Sequence, residues 1–116
     1  QLVSQIRARV FDDAAQATVT AADLKADTRI QYGTLDWDNN IDELGDQTPV
    51  YLGGLYDEWG FEFACEAQRR SQMIRFGTFT TKNWFNHEPV GDHVTIFPIP
   101  LDELQTNPNL KQNPGY

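Results

Sequence analysis

The sequence predicts a mainly helical fold with one short β element and a long, ordered coil at its C-terminal end. Apolar residues recur at helical spacing in two segments, Gln1–Phe11 and Leu55–Phe76. The β-rich stretch His93–Phe97 lies between Gly91-Asp92 and a proline, which favours a short edge strand. The segment from Pro98 to Tyr116 carries four prolines, which remove backbone donors and exclude a continuous helix. Its apolar residues predict that this tail packs on the rest of the molecule.

Composition excludes several classes of function. The 116 residues suffice for one small domain, and 9 basic against 17 acidic residues give a net charge of −8. That charge disfavours binding to nucleic acids or anionic membranes, which requires a basic surface. The single cysteine, Cys65, excludes an internal disulfide. No phosphate-binding glycine loop is present, and we expect no cofactor.

The first half of the chain predicts two helices followed by an irregular segment. Leu2, Ile6 and Val10 form an apolar stripe, and Thr20-Ala21-Ala22-Asp23 resembles a capping box that begins a short helix. We divide the chain into helices (1–26), a loop or insert (27–54) with a short strand at Arg29–Tyr32, a main helix (55–77), and a loop, strand and tail (78–116). Because the helical pattern begins at Gln1 without a methionine, we expect the chain to be part of a longer protein.

The main helix is predicted to run from Leu55 to Phe76 and to end at Gly77. Gly53-Gly54 is placed outside it, because each glycine would cost about 1 kcal/mol inside a helix. Trp59 lies on the apolar stripe and is predicted to be core. Cys65, in the middle of this helix, is interpreted as a packing residue.

Acidic and basic side chains alternate along this main helix. One interpretation is a carboxylate pair for glycosidase chemistry, with Glu62 and Glu66 one turn apart. Arginines three and four residues beyond Glu66 would instead hold both carboxylates in the charged form, which cannot donate a proton. We therefore predict a structural ion-pair network rather than catalysis. Its members are Glu58, Glu62, Glu66, Arg69, Arg70 and Arg75.

Two groups of polar residues are candidate metal sites. Oxygen-bearing side chains alternate at Asp36, Asp38, Asn40 and Asp42, as in calcium loops. However, Ile41 and Gln47 occupy positions where an EF-hand requires glycine and glutamate, which favours a solvated loop. A second loop carries His87, Glu88, Asp92 and His93. It lacks the ligand spacing of zinc sites, so no metal is predicted.

Two tryptophans are candidate glycan contacts. Sugars present apolar C–H faces that stack on flat aromatic rings, while amides and carboxylates bind the hydroxyls. Trp37 lies among aspartates and asparagines, and Trp84 is flanked by Asn83 and, after Phe85, Asn86. The alternative, which the sequence favours, is that both rings anchor their loops to the body.

The C-terminal sequence resembles a known family. Pro98-Ile99-Pro100, a short acidic helical turn, and the ending Asn-Pro-Asn-Leu-Lys-Gln-Asn-Pro-Gly-Tyr are similar to the C-terminus of SusD/RagB proteins. Arg7 and Arg9 in the first helix, and the charged residues of the main helix, also match the family pattern. Ser4 departs from it, since asparagine is usual there. Trp59 stands where arginine is usual and Gln72 where aspartate is usual, which implies that one ion pair of the family network is lost or rewired.

The resemblance implies both a fold and a function. The helices would complete tetratricopeptide-like hairpins begun in an upstream part of the same chain. The family's members are lipid-anchored proteins of the bacterial outer-membrane surface that bind oligosaccharides without catalysis. They deliver this cargo to a SusC-like, TonB-dependent transporter. This segment would be mainly scaffold.

Two other functions remain open from the sequence alone. One is a helical-repeat module that binds a protein and has no role with sugars. The other is a glycoside hydrolase fragment that uses Glu62 or Glu66. We also expect the isolated chain to self-associate through apolar surface meant for upstream helices.

Overall fold

The computed structural model describes residues 1–116 and consists of short α-helices, one 3-10 turn and a two-stranded sheet. The helices are α1 (Leu2–Arg7), α2 (Ala14–Ala17), α3 (Ala21–Lys25), α4 (Gly53–Glu62), α5 (Arg69–Arg75) and α6 (Leu101–Thr106). The strands are β1 (Gly33–Thr34) and β2 (Trp84–Phe85), and the 3-10 turn is Asp92–Thr95. The prediction of a mainly helical chain is confirmed. None of these helices is both long and apolar enough to cross a membrane.

The molecule is elongated and has a small core. It measures 60 × 33 × 24 Å with a radius of gyration of 18.4 Å. A compact domain of this length would have a radius of gyration of about 13 Å. Only 13 of the 116 residues are buried. Much apolar surface therefore stays exposed, including Leu2 at 75%.

The predicted main helix is interrupted, so its continuous form was wrong. It begins at Gly53 as α4, ends at Glu62, and resumes as α5 at Arg69. Cys65 and Ala67, in the connecting turn, have φ values of 64° and 57°, in the left-handed region that an α-helix excludes. The turn brings α5 back to α4, where the Arg69 guanidinium lies 3.8 Å from the centre of the Tyr56 ring. Cys65 is exposed and has no packing role.

Two glycines explain why α4 begins earlier than predicted. A Cβ atom on Gly53 would lie 2.0 Å from the Thr28 nitrogen, and one on Gly54 would lie 2.0 Å from the Asp23 carbonyl oxygen. Glycine is required here because α4 touches the backbone that leaves α3. The capping box that begins α3 is present as predicted, with Thr20 and Asp23 bonded to each other's backbone nitrogens.

The core is centred on Tyr56, which is fully buried. Tyr32, Val50 and Met73 are its buried neighbours. The Tyr32 hydroxyl donates to the Tyr56 hydroxyl at 2.7 Å, which is in turn 3.1 Å from the Thr78 hydroxyl. Burial, and then the bond to Tyr56, raise the pKa of Tyr32 well above its usual range. Trp59, predicted to be core, is half-buried beside this cluster.

Both predicted strands were wrong, and the sheet forms elsewhere. Arg29–Tyr32 is irregular because the Arg29 amide donates to the buried Asp57 carboxylate at 2.8 Å. Most of His93–Phe97 belongs to the 3-10 turn, and the Val94 carbonyl accepts a 2.6 Å bond from the Arg70 side chain. The sheet instead pairs β1 with β2 in parallel, in a register that places Gly33 beside Trp84.

The tail after Pro98 is ordered by its own side chains. Gln112 accepts a bond from the Ile99 nitrogen at 2.8 Å and donates to the Ile99 carbonyl at 2.9 Å, as a neighbouring strand would. The Asn113 side chain donates to the Phe97 carbonyl at 2.8 Å, and the Tyr116 hydroxyl donates to the Ile96 carbonyl at 2.8 Å. These bonds close the chain end onto the preceding segment.

An apolar groove separates α1 from α4. It has a volume of about 690 Å³ and is bordered by Arg7 and Glu58, which form an ion pair at 3.5 Å. Helix α1 is shorter than predicted, because the chain continues after Arg7 in hydrogen-bonded turns, in which the Val10 amide donates to the Arg7 carbonyl at 2.9 Å. The apolar residues that line the groove are Val3, Ile6, Val10, Phe11, Trp59, Phe61 and Phe63.

Candidate functional site

A hairpin within residues 33–43, here called the Trp37 hairpin, projects one tryptophan from the predicted insert. The Thr34 amide donates to the Glu43 carbonyl at 2.8 Å, and the Asp42 amide donates back to the Thr34 carbonyl at 2.9 Å. Leu35 and Ile41 pair in antiparallel fashion. The sequence analysis missed this hairpin, although Asp36 and the Asn39-Asn40 pair are typical turn residues.

The Asp36 carboxylate organises the tip of the hairpin. It accepts bonds from the amides of Asp38 and Asn40, each at 2.8 Å, and from the Asn40 side chain at 3.2 Å. The bonds from Asn40, backbone first, lower the pKa of Asp36. Asn39 adopts a left-handed conformation with φ 62°, which asparagine tolerates. The tip is therefore tied together by local hydrogen bonds.

These bonds leave the outward side chains free. The Trp37 ring is fully exposed, and Asp38 and Asn39 beside it make no side-chain hydrogen bonds within the molecule. The backbone is ordered while an aromatic face, a carboxylate and an amide face solvent. This combination can stack on a sugar ring and bind its hydroxyls.

The foot of the Trp37 hairpin is attached to the body by a buried lysine. The Lys82 ammonium donates to the backbone carbonyls of Asp46 and Thr48, the former at 2.9 Å, and lies 3.6 Å from the Asp46 carboxylate. Bonds from Thr48, side chain first, together with Lys82, lower the pKa of Asp46. On the other side, the Leu35 amide donates to the Phe85 carbonyl at 3.2 Å. The hairpin is thus anchored at both edges.

The second candidate, Trp84, has a different environment. It is half-buried, and its ring packs against His87 at 4.4 Å and Phe79 at 6.4 Å between centroids. Its indole nitrogen is buried without a partner, as is Nε2 of His87. The exposed ring on β2 is Phe85, which is 63% exposed and has φ 47°. The sequence places Phe85 next to Trp84 between Asn83 and Asn86, but it does not show which of the two rings is exposed, because a two-residue strand has no readable alternation.

The carboxylates of α4 form ion pairs with residues outside their helix. Glu58 lies 3.5 Å from Arg7 and 3.7 Å from Arg29, and Glu62 lies 2.6 Å from Arg9. The expected contacts of Glu66 with the next arginines are absent, because Glu66 lies in the turn between α4 and α5.

The arginines of α5 contact aromatic rings and carbonyls rather than carboxylates. Arg69 covers Tyr56 and donates to its carbonyl at 3.2 Å. Arg70 covers Phe97 at 4.2 Å, and Arg75 lies 5.5 Å from Trp59. The six charged residues predicted as one network are therefore distributed over several separate contacts.

The polar loops considered as metal sites are engaged otherwise. Asp36 is used by its own turn, and no three His, Cys, Asp or Glu side chains converge in an arrangement that could hold a metal ion. His93 packs edge-on against Tyr116 at 5.2 Å, and Asp92 accepts a bond from Thr80 at 2.8 Å. Both act in holding the C-terminal segment.

Comparison with known proteins places these features in a family. The sequence profile of the SusD family matches residues 1–116, the whole chain. The chain belongs to the SusD family. The C-terminal sequence is the part of this SusD-family chain that resembles the family most clearly. Its Gln112, Asn113 and Tyr116 side chains form the hydrogen bonds that hold the chain end in place.

Two curated relatives are similar to this SusD-family chain. One is the starch-binding protein SusD of Bacteroides thetaiotaomicron, 39% identical over 70 residues, which cover 53% of this chain and 13% of that protein. The other is a SusD-like protein, P25, of Formosa agariphila, 28% identical over 127 aligned positions, which cover 100% of this chain and 20% of that protein. The chain thus spans at most about a fifth of the relatives it matches. No solved structure matches it significantly.

Proposed function

We propose that this chain takes part in non-catalytic capture of glycans for nutrient uptake. The observation that carries the proposal is its membership of the SusD family over the whole chain, with a starch-binding relative. The geometry agrees with a binding role. The carboxylates Glu58 and Glu62 are ion-paired with arginines, whereas the fully exposed Trp37 stands on an ordered hairpin.

Of the two tryptophans, Trp37 is the glycan contact that the geometry favours. Its ring is free, while that of Trp84 is packed between Phe79 and His87. Trp84 serves instead to hold β2 against the body. The rest of the chain acts mainly as scaffold.

The scaffold role includes packing against an upstream part of a longer polypeptide. Helices α3 and α4 make a close, glycine-mediated contact, and we propose that such pairs form tetratricopeptide-like hairpins with further helices. The groove between α1 and α4 exposes apolar rings such as Phe61, at 64%. Burying this surface would stabilise the assembly by about 25 cal/mol per Å².

The cellular setting follows the same proposal. The protein would be lipid-anchored at the outer-membrane surface and would deliver oligosaccharide to a SusC-like, TonB-dependent transporter. Protease treatment of intact source cells, followed by immunoblotting for this sequence, tests the location. Loss of the band is expected, whereas a protected band would contradict a surface location. Co-purification of a TonB-dependent barrel from detergent-solubilised membranes tests the partner.

Affinity electrophoresis of the protein in gels that contain soluble starch or other polysaccharides tests glycan binding. Retardation by at least one polysaccharide is expected, with no release of reducing sugar. Hydrolysis that disappears in a Glu62→Gln variant would instead favour an enzyme. Migration unaffected by every polysaccharide, together with retained binding to a membrane protein, would favour a protein-interaction module.

A further inference from the structure

The tip of the Trp37 hairpin combines an open aromatic face with concentrated negative charge. Residues 33–43 include four carboxylates and no lysine or arginine. All four are exposed; they are Asp36, Asp38, Asp42 and Glu43. The nearest basic side chain in the sheet region, Lys82, is buried and bonded to Asp46 and Thr48. No cation at the tip offsets these charges.

The charge has a consequence for the ligand. Exposed carboxylates repel anionic groups within a distance of about 10 Å at moderate salt. A sulfated or uronic-acid-containing chain that stacked on Trp37 would bring its anionic groups within that distance. A neutral sugar meets no such penalty, and its hydroxyls can donate to the free Asp38 carboxylate and bond the free Asn39 amide.

The hairpin is also ordered at the backbone that carries the ring. The Asp36 carboxylate accepts hydrogen bonds from the backbone amides of Asp38 and Asn40. The Leu35 amide donates to β2, and the backbone carbonyls of residues 46 and 48 accept bonds from Lys82. An ordered loop loses little conformational entropy on binding, which favours affinity from a small contact. Phe85, the β2 partner of Thr34, is a second exposed ring in the sheet.

We propose that the tip of the Trp37 hairpin is a glycan-binding subsite selective for neutral sugars, with Trp37 stacking on a pyranose ring and Asp38 and Asn39 binding its hydroxyls. This inference rests on the proposed function and specifies its ligand class. The site excludes sulfated and uronic-acid glycans by charge rather than by shape. Asp38 is the specificity-determining residue, because it is the carboxylate next to the ring that no internal hydrogen bond occupies.

The test is a glycan array of the protein with neutral, sulfated and uronic-acid oligosaccharides of matched length, followed by calorimetry on the best neutral ligand. Trp37→Ala is expected to weaken the affinity for that ligand by about tenfold, equivalent to about 1.4 kcal/mol of binding free energy. Tyr51→Ala, which removes an aromatic ring that is 83% exposed outside the hairpin, is the matched control and should bind as the parent does. Asp38→Asn should increase binding of the sulfated counterpart, as should added salt for the parent protein.

The outcomes separate the two proposals. Neutral glycan binding that is unchanged in Trp37→Ala overturns this subsite and leaves glycan capture standing. Preference of the parent protein for sulfated or uronic-acid glycans overturns the charge selectivity. Binding to no glycan at all overturns the proposed function itself. Circular dichroism of each variant shows whether the fold is retained, and loss of affinity in a folded Trp37→Ala protein supports the inference.

Discussion

The core around Tyr56 and the tip of the Trp37 hairpin each place hydrogen bonds around an aromatic ring, but the ring is buried in the core and exposed at the tip. In the core, Tyr32, Tyr56 and Thr78 bond to one another, and Arg69 covers the central ring. At the tip, the hydrogen bonds tie backbone to Asp36, and the Trp37 ring remains uncovered. Side-chain bonds in the core stabilise the fold, whereas side-chain-to-backbone bonds at the tip order a surface that is left open for a ligand.

The comparison predicts that removing a core acceptor has the largest effect on stability. Asp57 is fully buried and accepts bonds from the Thr28 hydroxyl and the Arg29 amide. Asp57→Ala leaves both donors without a partner and should lower the free energy of unfolding by about 3 kcal/mol. Urea denaturation followed by circular dichroism measures this. Asp38→Ala, a fully solvated carboxylate, is the control, and equal losses in both variants would refute the distinction.

Tyr32→Phe should have the next largest effect. It removes the donor to Tyr56 and should cost about 1–2 kcal/mol at neutral pH. The raised pKa of Tyr32 means that the folded state keeps this proton above pH 10 while the unfolded state loses it. That contribution to stability is complete below the usual tyrosine pKa and is lost as pH rises above it. The free energy of unfolding, measured from denaturation curves between pH 9 and 11, should therefore decrease less steeply with pH in Tyr32→Phe than in the parent.

Asp36→Ala should affect the tip alone. It removes the acceptor of the Asp38 and Asn40 amides, whose hydrogen exchange should accelerate while core amides remain protected. Because the pKa of Asp36 is lowered, its stabilising effect is present above the usual aspartate pKa and is lost as pH falls through the lowered value. In acid, the two amides of the parent protein should therefore be protected no better than they are in Asp36→Ala. Unchanged protection of both amides would contradict the role given to Asp36.

Trp37→Ala should have the smallest effect on stability and the largest on binding. A fully exposed ring contributes within about 0.5 kcal/mol to the free energy of unfolding. Trp84→Ala, the matched control, removes a ring packed against Phe79 and His87 and should lower stability measurably. A marked loss of stability in Trp37→Ala would mean that the ring packs on the body, as the loop-anchor interpretation requires.

Local sequence was sufficient for two features that depend on neighbouring residues. The capping box at Thr20 and Asp23 needs only residues three apart, and its pattern predicted the start of α3. The prolines after Pro98 predicted a tail with a fixed path, and the bonds of Gln112 and Asn113 hold it. Its apolar residues were predicted to pack on the body, but Leu101 and Leu110 are exposed. The motif of this ending also resembles the C-terminus of the SusD family, to which the chain belongs.

Tertiary structure decided what depends on distant partners. The helical pattern across Leu55–Phe76 did not reveal the turn between α4 and α5. That turn places Arg69 over Tyr56, a contact between the two helices that a local pattern does not encode. The strands β1 and β2 are separated by about fifty residues of chain, and they are joined by bonds from the Gly33 amide to the Asn83 carbonyl and from the Leu35 amide to the Phe85 carbonyl. The sequence by itself determined the helical character, the family and the solvated acidic loop, but it favoured a Trp37 ring packed on the body, whereas the ring is exposed. Only the fold decided which aromatic rings are covered, since burial depends on long-range packing rather than on local pattern.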